Sequence, residues 1–143
     1  MRPFALIPFI LLRLLLSASA QSDPGELLGN AMNRRFMTRH DTLYAFYAVS
    51  PDPDRPLKAN PDKTYFWFRK DSIFTTKGDY AGRLLHGEYK VFYPDKSLRE
   101  SGNFHYGLRV GEWKTWYPDG SLQSITWWKK GEETGHETNA PPK

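Results

Sequence analysis

The sequence predicts a mainly β protein, an antiparallel meander of 24-residue β-hairpin repeats that form one solenoid-like sheet after a short mixed N-terminal segment. Three observations support this fold class. Aromatic residues, which favour strands, make up 15% of the 143 residues. A 24-residue unit recurs, and turn-forming residues hold fixed positions within it. The chain has no cysteine, so packing must hold it together without disulfides.

The repeat is clearest in its last two units. The segment GEYKVFYPDKSL, which begins at Gly87, aligns without gaps on GEWKTWYPDGSL, which begins at Gly111. Over the full unit, nine of 24 positions are identical. A weaker copy precedes them. The repeat region therefore covers 63–135, with units over 63–86, 87–110 and 111–134, and a polar tail that we predict to be disordered over 136–143.

Each unit has room for two strands and two turns. In the last unit we predict strands over 112–117 and 122–129, joined by the Pro-Asp-Gly turn of residues 118–120. Proline presets φ in such a turn, aspartate bonds to nearby backbone and glycine accepts a positive φ. Lys130 and Gly131 start the next turn.

Other residues that recur at the repeat period are also interpreted as turn residues. The aspartates at 24-residue spacing could suggest a row of carboxylates, but their place in turns explains them. Glycines at the start of each unit are likewise expected to mark turns. These residues are Asp71, Asp95, Asp119, Gly87, Gly111 and Gly135.

Aromatic residues at equivalent positions should form columns across the sheet, two strands apart. Side chains alternate faces along a strand, so one face should be core and the other charged with an aromatic stripe. That stripe is the candidate partner surface, because aromatics are frequent interface hot spots. The alternative is that its residues pack against the N-terminal segment or each other. The stripe consists of Phe68, Phe92, Trp116 and Trp127; the other columns are Tyr65, Tyr89 and Trp113, and Tyr80, Phe104 and Trp128.

Residues 1–20 have the layout of a secretory signal peptide: a basic start, an apolar run and small residues, Ala18 and Ala20, at a cleavage site before Gln21. A membrane anchor is the alternative, but Arg13 interrupts the run, which is shorter than a spanning helix needs. The expected location is the periplasm or the medium. Without Arg2 and Arg13 the chain carries 18 basic and 16 acidic residues, so its net charge of +2 gives little support to nucleic-acid binding.

The segment between the signal peptide and the repeats, residues 21–62, has mixed composition. It predicts a short helix over 26–36, a strand over 42–49 and an irregular, proline-rich connector over 50–61. Because the repeat sheet cannot bury both of its own faces, this segment should cover one face or extend an edge.

The repeat resembles the MORN (membrane occupation and recognition nexus) family, in the bacterial variant often labelled an antitoxin repeat. The resemblance implies an elongated β-sheet that acts as a scaffold or protein-binding surface, and it implies no catalytic activity. A classical antitoxin works in the cytosol, whereas this chain is predicted to be exported.

Motifs of catalysis and metal binding are not found. The sequence contains no nucleophile elbow, phosphate-binding loop, zinc motif or calcium loop. The histidines are expected to sit singly; they are His40, His86, His105 and His136. We therefore expect no enzyme, cofactor or metal site, but a protein-interaction or scaffold module whose partner is another envelope or secreted protein. The alternative is a lipid- or glycan-binding module that uses the exposed aromatics, with a membrane surface as a further candidate partner.

Overall fold

The computed structural model describes residues 34–54 and 56–141 of the chain. The predicted signal peptide, with Ala18 and Ala20, lies outside these residues, as does most of the predicted helix. Within them the chain has no helix and nine strands, which confirms the mainly β class. The strands are β1 (Arg34–Arg39), β2 (Thr42–Val49), β3 (Thr64–Arg69), β4 (Ser72–Lys77), β5 (Arg83–Phe92), β6 (Leu98–His105), β7 (Leu108–Trp116), β8 (Leu122–Lys129) and β9 (Glu132–Thr138).

The strands form one antiparallel sheet in the order β1-β2-β5-β6-β7-β8-β9, with the β3–β4 hairpin off this path. The N-terminal segment extends the sheet edge, since β2 pairs with β5 and β1 pairs with β2. The helix predicted over 26–36 is wrong in its described part, because residues 34–36 pair with residues 45–47 in β1. The strand predicted over 42–49 and the irregular connector that follows it are confirmed.

Four hairpins close through two-residue turns in which both residues have positive φ, between 44° and 80°. Such turns match the right-handed twist of paired strands. Two of them end in glycine and two in aspartate, which tolerates this region better than most residues. The turns are His40-Asp41, Lys70-Asp71, Tyr106-Gly107 and Lys130-Gly131.

The predicted Pro-Asp turns are confirmed, and the two units build them alike. In one unit the Asp95 carboxylate accepts hydrogen bonds from the backbone N–H and hydroxyl of Ser97, at 2.9 and 2.6 Å. In the next, Asp119 accepts the same bonds from Ser121 at the same distances. These bonds lower the pKa of both aspartates, because they favour the ionised carboxylate. Local turn chemistry therefore accounts for these recurrent aspartates.

The glycines expected to mark turns lie inside strands instead, and that prediction was wrong. Gly87 (φ 94°) is within β5 and Gly111 (φ 68°) within β7, and the strand pairing shifts register beside each of them. Extra residues at such a shift need a backbone bulge, which glycine supplies through its positive φ. The first strand of the last unit, predicted over 112–117, is therefore longer than predicted and spans Leu108–Trp116. Gly135 also pairs within a strand, β9, which continues to Thr138 and so takes up the first residues of the tail predicted to be disordered.

The first predicted unit does not stack on the other two. β3 crosses the ends of the later hairpins instead: Trp67 and Phe68 pair with the start of β5, and the Phe66 N–H donates to the Gly107 carbonyl at 2.8 Å. Lys63, just before β3, forms an ion pair with Glu132 at the start of β9. We call β3–β4 the turned hairpin, because it leaves the register of the later units. This hairpin, rather than the N-terminal segment, covers the core face.

The core has two parts, and β5 belongs to both. Leu84 packs with Tyr65 and Trp67, whereas Leu85 packs in the larger cluster. Adjacent residues of a strand point to opposite faces, which is why neighbouring leucines serve different clusters. The larger cluster consists of Phe46, Ala48, Leu85, Phe104 and Trp113.

A glycine allows two repeat aromatics to meet. The rings of Tyr89 and Trp113 lie 5.5 Å apart although their strands are separated by β6. Between them lies Gly102, where an added Cβ would come within 2.2 Å of Trp113 Cδ2. The column predicted from Tyr65 through Tyr89 to Trp113 thus holds for the last two residues, while Tyr65 is in the other core cluster. The column through Phe104 and Trp128 loses Tyr80 in the same way.

Candidate binding face

One face of the sheet carries the candidate partner residues, and we call it the open face. It is the face opposite Phe46, Tyr89 and Trp113, apart from its end at Leu84, which Tyr65 and Trp67 cover in the second core cluster. A row of partnered residues crosses it from β1 to β9, each paired with the next. The row is Phe36, Ala45, Lys90, Ser101, Lys114, Ile125 and Glu137. Phe36 keeps 64% of its surface exposed, the largest value among the large hydrophobic residues in the described part of the chain.

Three of the four predicted surface residues lie on the open face. Phe92 pairs with Leu98, and Trp116 pairs with Leu122, at equivalent places in successive units. Trp127 pairs with Glu112. All three aromatic side chains are half-buried by their neighbours in the sheet.

Phe68 does not belong to this surface, and the prediction of a column through Phe68, Phe92 and Trp116 was wrong. Its ring lies 5.2 Å from that of buried Phe46, so it packs on the core face. The cause is the turned β3–β4 hairpin, which removes the first unit from the register of the other two. The alternative, packing against the N-terminal segment, is therefore correct for Phe68, since Phe46 belongs to that segment.

Ion pairs recur on the open face with the repeat. Lys90 Nζ lies 2.6 Å from Glu88 Oε1, and Lys114 Nζ lies 2.6 Å from Glu112 Oε1. Residues two apart in a strand share a face, so both pairs stand beside the aromatic residues. All four side chains are partly exposed, and in each pair the glutamate balances the charge of the lysine. The face is consequently aromatic and polar, and the lysines that recur on it with the repeat are paired.

Sequence reasoning missed an arginine on the opposite face. The Arg109 guanidinium lies 4.9 Å from the Phe66 ring, 4.4 Å from Trp113 and 5.1 Å from Trp128. Its Nη2 is 3.7 Å from Glu100 Oε1, whose pKa is raised by burial despite this cation. One signal was available, because the equivalent position one unit earlier is Leu85, a core residue. Through these contacts Arg109 links Phe66 of the hairpin to Trp113 and Trp128 of the sheet, so its role is to stabilise the fold.

The histidines were expected to sit singly, and this prediction is wrong for two of them. The rings of His86 and His105 lie 5.2 Å apart, and His86 Nδ1 accepts a hydrogen bond from the Tyr106 N–H at 3.1 Å. His136 instead bonds to Thr126 and Thr138. Across residues 34–54 and 56–141, no three His, Asp or Glu side chains are close enough together to hold a metal ion. None of these residues forms a helix that is long and apolar enough to span a membrane.

Fold and surface together define a class, a β-repeat protein whose hairpin units build one sheet with an open face. The family model described as the MORN repeat variant matches residues 85–106 and 109–128. These two segments are assigned to the MORN-repeat family. The match begins at residue 85, so the turned hairpin lies outside it, in agreement with its departure from the repeat register. Neither a curated protein nor a solved structure shows significant similarity to the chain.

Proposed function

We propose that the protein is a non-enzymatic interaction module that binds another polypeptide on the open face of its repeat sheet. The observation that carries the proposal is the recurrence of Phe92 and Trp116 at equivalent places on the open face, outside both core clusters. Half-buried aromatics contribute strongly to interfaces because they are held in place before binding and lose little side-chain freedom.

The balanced ion pairs favour a polypeptide over an anionic membrane. A membrane-binding surface gains its electrostatic attraction from unpaired Lys and Arg. On the open face, Lys90 and Lys114 are each engaged by a glutamate 2.6 Å away. Glycan binding by the same aromatics is the second candidate, and a glycan array measured with the same variants distinguishes it.

The sequence supports an extracytoplasmic location for this interaction, through the predicted signal peptide with Ala18 and Ala20. Intact-mass measurement of the protein recovered from its own cells tests this part. A chain that begins at Gln21 is the expected result, and a chain that retains residues 1–20 would contradict it.

The binding proposal is tested with a photo-cross-linking residue at position 127, on the open face, in cells that make the protein. Cross-linked polypeptides are identified by mass spectrometry, and the partner is then purified. Phe92→Ser with Trp116→Ser should weaken binding of that partner about tenfold or more, the loss expected for interface hot spots.

The matched control is Phe74→Ser. Phe74 is an exposed aromatic, 43% accessible, on β4, which lies off the main path of the sheet; its ring stacks on Trp67 at 4.6 Å, so urea unfolding first checks that the variant is folded. Its replacement should leave partner binding unchanged. Equal loss in the control, or undiminished binding in the folded double variant, would rule out the open face as the binding surface.

A further inference from the structure

A cavity beside the core face, away from the open face, is lined by a cluster of positive charges. It lies between the β1 edge and the β3–β4 hairpin and has a volume of about 460 Å³. Four of its lining residues are cationic and none is acidic; the cations are Arg35, Arg69, Lys70 and Arg83. This clustering occurs in a chain whose basic and acidic residues are otherwise nearly balanced.

Three separate parts of the fold bring the cations together. Arg35 is in β1, opposite Phe46, and therefore on the core face. Arg83 is at the start of β5 and pairs with Phe68 of β3, so these two side chains stand on the same side. Arg69 and Lys70 follow at the tight turn of the hairpin. The cluster depends on the turned β3–β4 hairpin, the part of the chain that departs from the repeat.

An aromatic ring forms a wall of the cavity and orients one guanidinium group. The Arg35 guanidinium lies 5.9 Å from the centre of the Phe68 ring, within range of a cation–π contact. The Arg35 Nε is buried and has no hydrogen-bond partner in the described structure. Phe68 is itself held by Phe46, whose ring is 5.2 Å away. The site thus has a fixed element as well as exposed cations.

These four cations have no carboxylate partner among the described residues, as is also true of Arg34 and Arg99 elsewhere in the sheet. Ion pairs within residues 34–54 and 56–141 involve Lys63, Lys90, Arg109 and Lys114, each with a glutamate. Like charges held at one cavity repel each other, which costs stability unless an anion binds between them. Arginine forks match the paired oxygens of phosphate, and several cations favour a dianion over a carboxylate.

We propose that this cavity binds the phosphoryl group of a phosphate monoester, with Arg35 and Arg83 as the principal ligands. Arg69 and Lys70 add charge from the hairpin turn, and Phe68 offers an apolar wall to the organic part of the ligand. The volume exceeds that of phosphate alone, which is why a monoester fits better than the free anion. The site is distinct from the open face and does not depend on the proposed polypeptide binding.

The experiment is calorimetric titration of the full chain, at low ionic strength, with phenyl phosphate, inorganic phosphate and acetate as separate probes. Phenyl phosphate should bind most tightly, inorganic phosphate more weakly, and acetate weakest. Arg83→Gln and Arg35→Gln should each weaken phenyl phosphate binding about tenfold, the usual loss for one charge-assisted contact. Arg83 is exposed, so its variant keeps the fold even if the Arg35 variant does not.

Arg34→Gln is the matched control, because Arg34 is the neighbour of Arg35 in β1 but points to the opposite face. It should leave the affinity unchanged, as should Trp116→Ser on the open face. Absence of binding by both phosphate probes at millimolar concentration would overturn the proposal. Equal affinity for acetate, or equal loss in Arg34→Gln and Arg83→Gln, would overturn it as well, since either shows a general charge effect.

Discussion

Replacement of Lys96 by glycine should stabilise the protein. Lys96 and Gly120 occupy the same place in equivalent turns, and both have positive φ, 70° and 85°. In each turn the residue donates its N–H to the carbonyl of the tyrosine three residues earlier, at 2.9 Å. The backbone therefore requires this conformation whichever residue is present.

The magnitude follows from two opposing costs. An L-residue in the left-handed region costs about 1–2 kcal/mol, whereas glycine loses roughly 0.5–1 kcal/mol more chain entropy on folding. Lys96→Gly should thus gain about 1 kcal/mol, and the melting temperature should rise by about 4–8 °C. No other contact interferes, because Lys96 is exposed and a Cβ added at Gly120 would meet nothing within 4 Å.

The assay is thermal and urea unfolding, followed by tryptophan fluorescence, of four variants. Lys96→Ala keeps the strained backbone and should gain nothing, while Gly120→Lys should lose about as much as Lys96→Gly gains. The double variant, which exchanges the two residues, should match the original chain because distant sites add. The reasoning is refuted if Lys96→Ala is as stable as Lys96→Gly, since charge and not backbone conformation would then explain the gain.

Further predictions concern the core and the buried polar groups. Gly102→Ala should cost about 1–3 kcal/mol, because its Cβ would clash with Trp113; an unchanged urea midpoint would contradict this. Tyr93→Phe should lose about 1 kcal/mol with its 2.8 Å hydroxyl bond, and Tyr117→Phe less, because its equivalent bond is 3.2 Å long and exposed; equal losses in urea unfolding would contradict the comparison. Burial raises the pKa of Glu100, so its ionisation costs stability as the pH rises past the ordinary pKa of a glutamate; relative to the original chain, Glu100→Gln should gain stability as the pH rises above that ordinary value, and an unchanged difference across urea titrations at several pH values would contradict it.

Local sequence signals predicted the local structure of the later repeats. Pro-Asp turns and alternating aromatics need only nearby residues, so the strand 122–129 and the turns at Asp95 and Asp119 could be read directly. The bulges at Gly87 and Gly111 were missed because the same glycine signal, positive φ, serves a turn or a bulge. Only strand pairing distinguishes the two.

Long-range packing explains the remaining errors. Residues 64–77 have the alternation and turn of a repeat hairpin, so their local pattern fits a first unit. Their position is decided by β2, which pairs with β5 and fills the edge where that unit would stack. Phe68 was therefore assigned to the candidate surface although it contacts Phe46. Sequence periodicity contained no information about this competition for one strand edge.

The turned hairpin accounts for how a cysteine-free repeat sheet acquires both a closed core and distinct surfaces. A repeat sheet that stacks uniformly leaves its two faces equivalent in exposure, and its terminal units need caps. Here Phe68 pairs with the start of β5, Phe66 bonds to the β6–β7 turn, and Lys63, just before β3, pairs with Glu132 of β9. The hairpin thus ties together units that contact only their neighbours in a plain repeat. It covers the core face and the Leu84 end of the opposite face, and it leaves the rest of that opposite face open. The same displacement brings Arg69 and Lys70 toward Arg35, so the cationic cavity exists only because the first unit left the register.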